Sequence, residues 1–149
     1  MSDWSLARLA VSDAAAVAAI HRAAFDAALP WLAGLHTPAE DLEYFSGHVL
    51  VGCEVWGASA LGRLSAFIAF REGWIDQLYV APVRQGHGAG SALLAVAMGA
   101  WPELRLWTFQ RNATARRFYE ARGFVLIEET DGRGNEEREP DALYAWRRG

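Results

Sequence analysis

The sequence predicts one α/β domain with a mixed sheet, its elements ordered βααβββαβαββ. Three observations predict it. Short β-like runs alternate with segments whose apolar residues recur at helical spacing. A cluster of glycines sits between one such strand and one such helix. The 149 residues, 52% of them apolar, suit one compact core spanning 1–149.

Residues Trp4 to Ala10 read as a first strand, and Ser12-Asp13 offers an N-cap for an alanine-rich helix ending near Ala28. Leu29-Pro30-Trp31 stops it. Thr37, with Pro38 at the first helical position and Glu40 three residues after the threonine, forms a capping box for a second helix to about Phe45. Val49–Trp56 and Leu61–Phe70 read as two strands of a hairpin turning near Gly57. Trp74–Val80 is mostly apolar on both faces, as a central strand is. After the glycines, Leu94, Ala97, Met98 and Trp101 keep helical spacing until Pro102. Leu104–Phe109 is a strand, Asn112–Arg122 a helix with Gly123 at C′, Phe124–Glu128 a strand, and Leu143–Trp146 the last.

Fourteen arginines, no lysines and eighteen acids give a net charge of −4 without a basic patch, which argues against nucleic acid as a partner. One cysteine, Cys53, cannot form an internal disulfide and reads as a small buried side chain, fitting a reducing compartment. Asp3, Arg8 and Asp13 interrupt the first apolar stretch, unlike a signal peptide, and no run is long enough to span a bilayer. A cytoplasmic protein without membrane partners is the expectation. His21, His36, His48 and His87 lack metal-ligand spacing, so no metal is expected.

A diphosphate needs several main-chain N–H groups converging at a helix N-terminus, and Cβ atoms obstruct that approach. Gly86, Gly88 and Gly90 meet this need, although a strained turn alone also asks for glycine. A GxxxxGK[ST] loop is excluded because the chain has no lysine. A dinucleotide fold fails because Ala81–Arg84 separate strand from glycines and no acid stands near Trp107–Arg111. The stretch Asp76-Gln77-Leu78-Tyr79-Val80-Ala81-Pro82-Val83-Arg84-Gln85-Gly86-His87-Gly88-Ala89-Gly90-Ser91 closely resembles the acetyl-CoA motif Q/R-x-x-G-x-G/A of the GNAT superfamily. Gln85, Gly88 and Gly90 fill that signature, and Asn112–Phe124 resembles a second motif of the family.

The resemblance implies a GNAT-like fold with a splayed mixed sheet, acetyl-CoA as cofactor, and transfer of an acetyl group to a primary amine of a small molecule or peptide by direct attack in a ternary complex. It implies that Leu78, Tyr79 and Val80 pair with the pantetheine arm, and that Gln85, Gly86, His87, Gly88, Ala89, Gly90 and Ser91 hold the diphosphate. It also extends to a homodimer. A non-catalytic acyl-CoA-binding module is the competing reading, and Tyr119 together with a base separates the two. Asn112 and Tyr119 lie seven apart, sharing a helix face about 10 Å apart. By resemblance Tyr119 is the general acid; the alternative makes it core, and Asn112 is an N-cap, a ligand or both. For the general base the candidates are Asp76, two residues before Leu78 and therefore expected on its face, Glu54, or water. The acceptor is expected between residues 30–36 and the acidic stretch Asp131–Asp141, with Trp31, Tyr44, Trp107 and Phe109 as candidate apolar walls.

Overall fold

The computed structural model describes residues 4–149; Asp3, one of the charges weighed against a signal peptide, lies outside them. The chain runs β1 (Ser5–Arg8), α1 (Ala14–Ala28), α2 (Pro38–Tyr44), a π-helical turn (Phe45–Val49), α3 (Leu50–Gly52), β2 (Glu54–Ala60), β3 (Arg63–Arg71) and β4 (Trp74–Val80). It continues with α4 (Ala89–Ala100), β5 (Glu103–Phe109), α5 (Ala113–Glu120), β6 (Val125–Glu129) and β7 (Asp141–Arg147). The expected element order holds. Seven strands form one sheet ordered β1-β2-β3-β4-β5-β7-β6, antiparallel except for the β4–β5 pair.

Helix α1, α2 and the π turn cover one face, burying Val17, Phe45, Val49 and Phe67. Helices α4 and α5 cover the other, over Ile68, Phe70, Leu93, Leu94 and Leu106. The Thr37 capping box forms as expected: Glu40 N–H donates to Thr37 Oγ1 at 3.1 Å and Thr37 N–H donates to Glu40 Oε1 at 2.7 Å.

Two local expectations are corrected. Val49–Gly52 is helical rather than strand, because the extra residue of the π turn keeps Phe45, Val49 and Leu50 facing the core. The hairpin turns at Leu61-Gly62, not Gly57. Gly57 lies inside β2 opposite Phe67, where a Cβ would come within 2.5 Å of the Leu64 side chain.

The sheet splits in the middle. Strand β4 pairs with β5 only at Trp74↔Arg105, so from there onward the edge of β4 facing β5 carries main-chain groups without a strand partner. That divergence opens a cleft across the centre of the molecule.

Candidate active site

The glycine turn connects β4 to α4. Gly86 (φ +83°) and Gly88 (φ +88°) are left-handed, and a Cβ at either meets nothing within 4 Å, so dihedrals rather than crowding demand glycine there. At Gly90 the backbone is not left-handed, and a Cβ would rest in ordinary contact with the Phe118 ring at 3.4 Å. Every main-chain N–H from Gly86 to Ser91 lacks a protein acceptor among the described residues; the first helical bond is Ala92 N–H to the Gly88 carbonyl, at 3.0 Å. These unpaired donors lie at the N-terminal, positive end of a twelve-residue helix.

Side chains brace this turn. Gln85 Nε2 donates to the Val80 carbonyl at 3.1 Å, tying the loop to the end of β4. Trp4 Nε1 donates to the His87 carbonyl at 2.9 Å. Ala89 is buried under the turn. Arg122 donates to Ser91 Oγ and stacks on Phe118, 3.9 Å from the ring centroid.

Beside the turn, the divergence of β4 and β5 forms a slot lined by Gln77, Leu78, Tyr79, Asn112 and Tyr119. Asn112 caps α5, its Oδ1 accepting from Ala115 N–H at 3.2 Å, and its amide nitrogen is left over for the slot. Tyr119 is buried between Phe118 and Phe124, and its hydroxyl has no hydrogen-bond partner among the described residues. Burial, reinforced by Tyr79, pushes its phenol well above the ordinary range. It stays protonated at any working pH.

Asp76 does not share a face with Leu78. Ala69 pairs with Gln77 but Phe70 with Ile75, so β4 bulges at Asp76 and the alternation is reset. Its carboxylate accepts from Arg71 Nε at 2.8 Å and Nη2 at 3.1 Å, and from the Cys53 thiol at 3.3 Å. Burial and then Asp76 push that thiol up to about 11, so Cys53 is not a nucleophile at neutral pH. Glu54 accepts from Trp56 Nε1 at 2.8 Å and lines neither the slot nor the cavity beyond it.

That cavity, about 570 Å³, is walled by Phe25, Leu29, Tyr79, Trp107 and Phe109 and rimmed by Thr130, Asn135, Glu137 and Asp141. It shares Tyr79, Trp107, Thr108 and Asn112 with the slot, so the two spaces meet. Trp107 and Phe109 are walls as expected, whereas Trp31 and Tyr44 are not. Trp31 instead donates from Nε1 to Glu139 Oε1 at 2.8 Å, with Arg111 over its ring. Sequence reasoning missed Phe25, Leu29 and Thr108, and assigned Tyr79 only to the cofactor; the C-terminal turn of α1 gives no motif to find them by.

A family model described as an acetyltransferase (GNAT) domain matches residues 46–126, more than half of the chain and both of its motifs. The chain belongs to this family. Across 80 residues it is 31% identical to the peptidyl-lysine N-acetyltransferase YiaC of Escherichia coli, a match covering 53% of this chain and 55% of that protein. The chain thus spans about half the length of this curated relative. In fold it is similar to the apo-form of YjaB from Escherichia coli, with a TM-score of 0.80 at 21% identity over 98% of this chain and 99% of that one. It is also similar to PaiA N-acetyltransferase of Thermoplasma acidophilum, solved with coenzyme A, with a TM-score of 0.74 at 19% identity over 99% of each chain. In this GNAT domain the glycine turn, slot and Tyr119 fall inside the matched region. Phe25, Leu29 and the 130–141 rim fall outside it.

Proposed function

We propose that the protein is an acetyl-CoA-dependent N-acetyltransferase acting on a primary amine. One observation carries the reading: a row of unpaired amides follows directly on a strand whose edge has no strand partner, and a buried phenol lines the slot at that edge, which meets a second cavity. The residues fit coenzyme A. Open space stands where Cβ atoms at Gly86 and Gly88 would project, and the unpaired edge of β4 suits an amide-bearing arm added as a strand. Acetyl-CoA supplies an acetyl group activated as a thioester.

The amides of Gly86 to Ser91 hold the diphosphate, with the Arg122 guanidinium beside them contributing positive charge. The edge of β4 at Leu78–Val80 orients the arm, and a main-chain N–H of Leu78 or Tyr79 polarises the carbonyl under attack. The Asn112 amide steadies the arm from α5. An ammonium acceptor gives up two protons on becoming an amide, one to the base before attack and one to the Tyr119 oxygen as the new carbon–nitrogen bond replaces the carbon–sulfur bond. Tyr119 holds a proton at Oη for the departing sulfur and regains one afterwards, so the net reaction releases a single proton from the ammonium. Burial of the phenol keeps Oη protonated and ready to donate.

The base for the ammonium proton is Asp76, through water, or water alone. The bidentate Arg71 pair keeps the Asp76 carboxylate at the slot's edge, making a direct transfer from the acceptor less favourable than a relayed one. Release of free thiol from acetyl-CoA across a panel of amines tests the activity: amine-dependent release supports it, and release no faster than without protein removes it.

A further inference from the structure

The chemistry of the acceptor can be read from the cavity beyond the slot. Resting on the acetyltransferase reading above, we propose that the acceptor is a small free monoamine with an apolar, preferably aromatic, body, its ammonium paired with Glu137. Three features of the cavity lead there.

The first is charge. Glu137 and Asp141 are the ionisable acids of the lining, and no arginine or histidine lines it. Asp141 is already satisfied by Thr130 Oγ1 and, at 3.1 Å, by Asn135 Nδ2. Glu137, half-buried, has no hydrogen bond or ion pair among the described residues, yet its charge reaches Tyr79 on the opposite wall, where it helps burial raise the phenol to about 12. A lone carboxylate facing an aromatic wall is matched by one cation.

The second is the wall itself. Phe25, Leu29, Trp107 and Phe109 offer apolar surface, with Phe25 and Phe109 in edge contact at 6.3 Å between centroids. An acceptor with a hydrocarbon or aryl body removes that surface from water, whereas a linear polyamine would bring a second ammonium to it without a partner.

The third is the rim. Segment 30–36 is latched to the 131–139 loop by Trp31 Nε1 donating to Glu139 Oε1 at 2.8 Å and by His36 Nε2 against Glu136 Oε1 at 2.8 Å, and Arg111 Nε, from the start of the β5–α5 connection, stands 3.3 Å from Glu139 Oε2. The loop is also folded on itself, since a Cβ at Gly132 would stand 2.5 Å from the Glu139 main chain. Glu136 and Glu139 are thereby paired, as Asp131 is with Arg133 at 3.2 Å, and the loop that supplies Glu137 is held against segment 30–36, leaving less room for an extended peptide on both sides of its lysine. The volume of about 570 Å³ suits a small molecule.

Thiol-release kinetics with 2-phenylethylamine, 1,4-diaminobutane and a lysine-containing hexapeptide decide the matter, alongside a calorimetric titration with coenzyme A. The expected result is the highest kcat/KM for 2-phenylethylamine, with Glu137→Gln raising its KM about 10- to 100-fold while coenzyme A affinity stays put. Opening the rim with the Trp31→Ala/His36→Ala double variant narrows the gap between hexapeptide and monoamine. Preference for the peptide or the diamine, or an unchanged KM in Glu137→Gln, overturns the proposal while leaving the acetyltransferase reading intact. Absence of coenzyme A binding overturns both.

Discussion

Replacing Gly88 separates two physical reasons for a glycine in the phosphate turn. Its φ of +88° is left-handed, and a Cβ built there meets no protein atom within 4 Å, so the folded chain has room for a side chain but not the dihedrals for one. A left-handed backbone costs an L-residue about 1–2 kcal/mol. In Gly88→Ala the free loop escapes that cost by relaxing, and the bound loop must return to it to restore the amide row. Coenzyme A affinity then falls about 5- to 30-fold, at 1.4 kcal/mol per factor of ten. Gly88→Asn is the discriminating partner, because asparagine tolerates the left-handed region better than alanine despite its larger side chain. Calorimetric titration with coenzyme A should rank the affinities Gly88, then Asn, then Ala. An alanine variant binding as tightly as the parent refutes the dihedral argument. An asparagine variant weaker than alanine shows instead that bulk in the phosphate approach dominates.

Tyr119→Phe should lower kcat about 100-fold or more while sparing both coenzyme A affinity and thermal stability, because the hydroxyl has no protein partner to lose; calorimetry and melting beside the thiol assay check all three. His21 is packed against Phe25, Phe45 and Tyr79 with Nδ1 unpaired, and burial, helped by Arg22 against Asp41 and Asp26, lowers its pKa to about 4. A folded value below the unfolded one means the unfolded chain binds the extra proton, so stability falls as pH drops from about 6.5 to 4, and His21→Leu should flatten that limb of a pH series of melts. The hydrogen bond from Arg22, outweighing burial, holds the Asp41 carboxyl below its usual range, at 2.8 Å and 2.9 Å. Its contribution is present above the unfolded carboxyl pKa and lost as pH falls below it. Asp41→Ala should cost about 2 kcal/mol in denaturant unfolding at pH 7, moderated by the remaining Arg22–Asp26 pair at 3.1 Å.

Much of this fold was legible because local signals and tertiary context agree. Trp74–Val80 is mostly apolar on both faces and emerges as the central β4, and Thr37-Pro38-Ala39-Glu40 caps its helix as its spacing demands. The errors arise where one extra residue changes a period. The π turn at Phe45–Val49 carries a helix into an apolar run that reads equally well as a strand, and the bulge at Asp76 moves a side chain off the face that simple alternation gives it. The glycine turn was legible because its chemistry is local. The acceptor cavity was not, because Phe25, Trp107 and Glu137 come from three distant segments, and because Trp31 is taken up by Glu139, 108 residues away.

On our proposal, the split between β4 and β5, together with the amides of Gly86 to Ser91, forms the coenzyme A site. A crystal structure of the protein grown with coenzyme A tests it most directly. The expected electron density has the diphosphate on those amides, the arm along Leu78–Val80 and the sulfur within about 4 Å of Tyr119 Oη. Coenzyme A seated elsewhere, or its sulfur pointing away from Tyr119, contradicts it.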